Sequence, residues 1–157
     1  MKRIVFFAVL SVLVSGAFAQ TSLKVAATPE PHAAILNLVK DDLKAQGITL
    51  HVIEMTDYPT LNEVLEAGDI DANFYQHLPY MESFNKEKGT HLSAGLSAKK
   101  DGLFVEGSSS PYVNYIVVKK GNEKLPNITA LVMALQSDKV KNYINKTYPN
   151  GEVVAAF

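Results

Sequence analysis

Cysteine and tryptophan are absent from the 157 residues, and Arg3 is the only arginine. Without cysteine there is no disulfide, no thiolate nucleophile and no thiolate ligand for zinc, so stability must come from core packing. The length suits one domain able to bury such a core. Long apolar runs are absent too, except at residues 4–14, where Lys2 and Arg3 precede the run and Ala17-Phe18-Ala19 follow it. That order describes a secretory signal peptide over 1–19, with a core too short to span a bilayer stably. It predicts export to the periplasm with cleavage near Ala19.

Strong positive charge is missing as well. Once 1–19 are removed, 13 basic side chains stand against 16 acidic ones, a net charge of −3. Such a chain is no nucleic-acid binder. Catalytic and metal signatures are equally scarce. The histidines at 32, 51, 77 and 91 form no HExxH or other short metal spacing. No GxSxG elbow or phosphate-cradling glycine loop occurs, and Ser108-Ser109-Ser110 has no histidine nearby. Asp57 and His77 could form a dyad, but no nucleophile accompanies them. The expectation is a protein that is not an enzyme and carries no cofactor or metal.

What is present is a regular alternation of strand and helix. Residues 23–28 form a β-type run ended by Pro29-Glu30-Pro31, and Pro31 suits the first turn of a helix. Ile35, Leu36, Leu38, Val39 and Leu43 then recur at helical spacing up to Gly47. Residues 49–55 alternate as a second strand, Leu61, Val64 and Leu65 mark a helix ending at Gly68, and 69–75 give a third strand. Pro79 opens a third helix that runs to Gly89. This is the pattern of a parallel sheet flanked by helices.

Later, residues 91–98 and 103–107 read as two strands of a hairpin around Asp101-Gly102. Residues 113–121 form a strand. A final helical region falls into two pieces at Ser137-Asp138, and 152–157 are a terminal strand or tail. The fold class is therefore α/β with one, mostly parallel, sheet.

Ligands of open α/β sheets bind beyond the carboxyl ends of the strands. Three segments converge there: 28–32, 56–58 and 74–80. They bring Tyr58, Phe74, Tyr75, His77 and Tyr80 together with two helix N-termini, which can hold a carboxylate. Rings with apolar faces and polar tips suit a small ligand that is part greasy and part charged. Each residue has a plainer role open to it. One of Phe74 and Tyr75 packs in the core, Tyr80 can be a surface anchor and His77 a helix cap. A first-turn His32 is solvated, and Tyr112 and Tyr115 pack beside the sheet.

Five stretches carry a resemblance: LKVAATPEPHAAIL, TDY, EAGDIDANFYQHLPYMESFNKEKG, SPYVNYIVVKKGN and ALVMALQSDKVKNYI. In this order, from Leu23 to Phe157, the chain closely resembles the NlpA-type substrate-binding lipoproteins of methionine ABC importers. The resemblance implies a type II periplasmic-binding-protein fold, which in that family has two α/β lobes closed on methionine. Only lobe one is expected here: an outgoing part over 20–97, a joining hairpin over 98–103 and a returning part over 104–157. By the same resemblance Tyr58, Phe74, His77 and Tyr80 surround the methionine side chain. The family's carboxylate-gripping arginine and amine-contacting asparagines belong to the absent lobe or its edges. The chain departs from the family in having no cysteine to carry a lipid after residue 19. Implied partners are methionine or a similar small apolar amino acid and an importer permease. The other reading is an interaction module that self-associates through the exposed pocket face.

Overall fold

Alternation along the first strand separates the layers of the molecule. In β1 (Thr21–Ala27), Leu23, Val25 and Ala27 are buried on one face of the sheet and Ala26 on the other. The structure is a computed structural model that describes residues 20–95, 103–106 and 112–157. The expected signal peptide, the Lys99-Lys100-Asp101-Gly102 turn and the serine run 108–110 lie outside them.

A wide turn, Pro29–Ala33, in which Glu30 is extended, leads from β1 into α1 (Ala34–Leu38) and α2 (Lys40–Lys44). The single helix expected here is broken at Val39, yet Ile35, Leu36, Val39 and Leu43 all stay buried, so the apolar stripe survives the break. β2 (Ile48–Glu54) and α3 (Tyr58–Ala67) follow. The Asp57 carboxylate caps α3 by accepting from the Thr60 N–H at 3.1 Å, and Gly68 ends it at φ +88, a left-handed conformation that favours glycine. β3 (Ala72–His77) runs directly into α4 (Leu78–Lys88). Beyond β4 (Leu92–Ala94), β5 (Phe104–Glu106) and β6 (Val113–Lys119), the helical region is divided as expected. α5 (Pro126–Leu135) stops before Ser137, whose hydroxyl caps α6 (Asp138–Thr147), and β7 (Val153–Ala155) closes the chain.

The strands form a sheet in the order β2-β1-β3-β6-β5-β7, with β4 also on β6. β2, β1 and β3 are parallel, and every ladder beyond β3 is antiparallel. In direction β1 to β5 agree, while β6 and β7 oppose them, so the sheet is mostly parallel in sense but mixed in pairing. Helices cover both faces. α1, α2, α5 and α6 enclose the larger apolar cluster, and Leu61 and Leu65 of α3 with Met81 and Phe84 of α4 enclose the smaller one.

Within the described residues, the two strands expected to pair with each other do not. β4 pairs with Val117, Val118 and Lys119, and β5 pairs with Val113 and Asn114, both antiparallel to β6 on the edge opposite β3. They lie end to end in one line rather than side by side. Gly95 donates its N–H to the Ile116 carbonyl at 2.8 Å, and Leu103 donates to the Asn114 carbonyl at 3.0 Å. The edge of the seven-residue β6 accommodates both segments.

Candidate ligand site

Where β3 gives way to α4, the chain leaves an open hollow of about 290 Å³. Tyr58 at the start of α3, Tyr75, Gln76 and His77 on β3, and Tyr80 on α4 line it, with Tyr112 and Asn114 from the β6 side. The volume lies at the small end of the range for ligand pockets, about 300–1,000 Å³. Rings make up most of the wall. Tyr58 lies 5.2 Å from Tyr75 and 6.5 Å from Tyr80, centre to centre, and Tyr75 lies 6.1 Å from Tyr80. The Tyr75 hydroxyl donates to the Tyr58 carbonyl at 2.9 Å, locking α3 to β3 at this rim.

An irregularity in β3 decides which side chains arrive. Phe74 pairs with Ile116 and Gln76 with Tyr115, so one residue of β3 is extra. Such a bulge re-aims side chains, and here it lets Tyr75 and Gln76 both reach the hollow. Phe74 goes the other way and is fully buried. Its ring meets His32 edge-on at 4.8 Å and Phe104 at 5.4 Å. Of the four expected ligand contacts, Tyr58, His77 and Tyr80 therefore gather at the hollow, and Phe74 does not. Tyr75 stands in its place.

Two further expectations fail. His32 is buried rather than solvated, and Tyr112 does not pack beside the sheet. The Tyr112 ring stacks on His77 at 4.4 Å and 21° while remaining 47% exposed. Tyr115 does pack against the smaller apolar cluster.

Among the described residues, no side chain lining the hollow is Lys, Arg, Asp or Glu. Burial pushes the Tyr75 hydroxyl well above its ordinary value and raises that of Tyr80 too, so both phenols stay neutral. The helix N-termini are less available to an anion than expected. Nδ1 of His77 accepts the Tyr80 N–H at 3.2 Å, the Asp57 carboxylate takes the Thr60 N–H, and Pro59 and Pro79 have no N–H to offer. Thr60 also donates its hydroxyl to Asp57, and together these bonds hold that carboxyl below its usual range. The described lining thus favours the neutral, polarisable part of a ligand.

Sequence reasoning missed the polar floor. Gln76 donates to the side-chain oxygens of Asn62 at 2.6 Å and Asn73 at 2.9 Å, and accepts from the Asn62 amide at 3.1 Å. Asn73 in turn donates to Asn62 and to the Leu61 carbonyl. All three amides are buried and mutually satisfied. The only sequence signal was three amide side chains at positions that pattern assigns to apolar ones. Asn114 was missed as well. It is buried, with its Oδ1 3.3 Å from Nε2 of His32, whose Nδ1 lies 2.7 Å from the Thr28 hydroxyl. Burial pushes the His32 pKa down to about 4, so the ring is neutral.

Comparison with known proteins places this site in context. A family model described as NlpA lipoprotein matches residues 23–94 and, separately, 90–157. The membrane lipoprotein TpN32 of Treponema pallidum is 26% identical over 229 aligned positions, covering 81% of this chain and 85% of that one. The methionine-binding lipoprotein MetQ of Bacillus subtilis is 46% identical over 63 residues, which are 40% of this chain but 23% of that relative. Among solved structures, a nutrient binding protein from Burkholderia cenocepacia bound to methionine superposes with a TM-score of 0.71 at 20% identity, covering 86% of this chain and 100% of that one. At that identity the likeness is one of fold.

Proposed function

Because the chain belongs to the NlpA lipoprotein family, we propose that it is a substrate-binding protein whose hollow takes the side chain of methionine or a similar small apolar amino acid. The observation that carries this reading is the cluster of Tyr58, Tyr75 and Tyr80 around a hollow that no Lys, Arg, Asp or Glu of the described residues lines, and whose Gln76 is already bonded to Asn62 and Asn73. A thioether makes favourable contacts with ring edges, worth about 0.3–1.5 kcal/mol each. That relatives named for methionine match this chain supports the choice of ligand.

The hollow is half of a site, formed by one lobe of a two-lobed architecture, with 20–97 as its outgoing part and 104–157 as its returning part. Two findings support this division. The family model matches in two pieces that meet at 90–94. In addition, 81% of 157 residues is about 127, so about 100 of the 229 positions aligned to TpN32 have no counterpart here. Energetics then limit affinity. Covering one side of a thioether removes about 100 Å² of apolar area, about 2.5 kcal/mol. Immobilising a free ligand costs about 4 kcal/mol or more, and no Lys, Arg, Asp or Glu of the described lining offsets it. Lobe one alone therefore binds methionine with a Kd in the millimolar range or weaker. Titration calorimetry on residues 20–157 tests this: weak or undetectable heat is expected, and a micromolar constant for a monomer would overturn the half-site. Delivery to an ABC importer permease is the transport role that this reading assigns when the second wall is supplied.

One observation favours a second reading. Tyr58 and Tyr112 are large rings left 52% and 47% exposed at the rim. A second copy or another periplasmic protein seated there would cover them and could furnish the missing wall. Sedimentation with and without methionine separates the readings, since ligand-independent dimers favour the interaction module.

A further inference from the structure

Below the hollow, the larger apolar core contains a fully enclosed imidazole, and the proposed binding role does not by itself require one. His32 joins the turn after β1, where Thr28 is its local partner, to β6, 82 residues away, through Asn114. We propose that His32 is a positioning residue for the site, fixing the rotamer and orientation in which Asn114 presents its carboxamide to the wall of the hollow.

The proton assignments follow from the partners. Asn114 Oδ1 can only accept, so Nε2 of His32 carries the proton across their 3.3 Å contact. In a neutral ring Nδ1 is then the acceptor, and the Thr28 hydroxyl donates to it at 2.7 Å. Both ring nitrogens are engaged in fixed senses. Phe74, edge-on at 4.8 Å, and Phe104, at 5.0 Å, leave the ring plane no room to turn. This also gives the buried Phe74 a part in the site: it walls in the histidine that holds Asn114. A carboxamide held in one orientation loses no rotamer freedom when ligand arrives. Freezing one side chain costs about 0.5–1.5 kcal/mol, so removing the hold should weaken binding roughly three- to tenfold.

Only the affinity part of the test rests on the methionine reading. In ligand-free wild-type protein, long-range proton–nitrogen NMR should find His32 with its proton on Nε2, and the Asn114 carboxamide, identified by its loss in N114A, as one sharp pair. H32Q keeps a donor where Nε2 stood and should preserve that pair, whereas H32L should shift or double it. A proton on Nδ1, or an Asn114 pair unchanged in H32L, overturns the proposal, and the first of these needs no variant at all. In methionine titrations H32Q should lie within about twofold of wild type and H32L three- to tenfold weaker, with no further weakening in an N114A background. An equal loss from H32L in that background overturns the positioning role. Where the single lobe binds methionine too weakly to titrate, as the half-site allows, the NMR arm alone decides the role of His32.

Discussion

Single residues divide between those that meet the ligand and those that hold the fold, and β3 contains both kinds side by side. Phe74 and Tyr75 are neighbours with opposite roles, and the bulge between Phe74 and Gln76 sets them. Strict alternation cannot foresee a bulge, so the sequence could show an aromatic cluster but not which ring faces the ligand. Tyr80→Ala should weaken methionine binding at least fivefold in an NMR shift titration while leaving the urea midpoint almost unchanged. Phe74→Ala should do the reverse first, lowering stability by about 3–5 kcal/mol through an unfilled core volume. His32 was illegible for another reason. Its neighbour Pro31 reads as the start of a surface helix, and nothing in its vicinity announces Asn114, 82 residues away.

The same histidine has a consequence for stability. Its folded pKa of about 4 lies below the ordinary 6.5, so the unfolded chain takes up the proton more readily. The His32 contribution is therefore complete above about pH 6.5 and is lost as pH falls from 6.5 towards 4, amounting to about 3 kcal/mol at the acid end. Urea unfolding at pH 7, 5.5 and 4.5 should show wild type losing stability over this interval more steeply than H32Q.

At the scale of elements, α3 is tied to β3 twice, at the rim by Tyr75 and in the interior by Asn62, Asn73 and Gln76. The interior amides leave no room for an apolar replacement of one member. Asn62→Leu should cost about 3 kcal/mol by stranding its two partners, visible as a lower urea midpoint with an unchanged slope. Asp57→Ala, which removes the cap of α3, should lower the urea midpoint by much less than Asn62→Leu does. Most elements were legible because their ends carry distinct chemistry. Asp57 and Gly68 bound α3, and Ser137 divides α5 from α6. The break at Val39 was not, because the apolar stripe continues through it unchanged. The α3–β3 amide lock was also hidden, since buried Asn and Gln look like surface residues until their partners are known.

For the whole molecule, the α/β class and a parallel sheet were evident from the alternation of segments, and β2, β1 and β3 form its parallel part. The mixed half of the sheet was not, because β6 collects partners by long-range pairing that no local pattern encodes. Local turn chemistry misplaced β4 and β5 for that reason. The hollow is open on one side and no Lys, Arg, Asp or Glu of the described residues lines it, in keeping with the weak binding proposed for a single lobe.

The placement of β4 and β5 has one more consequence. The carbonyls that receive the Gly95 and Leu103 amides belong to residues 116 and 114 of one strand, about 7 Å apart at the usual rise. Sheet pairing is thus secured on each side of residues 96–102 and does not depend on what is spliced between them. A guest domain whose own termini lie close together, as they commonly do, could be grafted at this socket without breaking a ladder bond between the described residues.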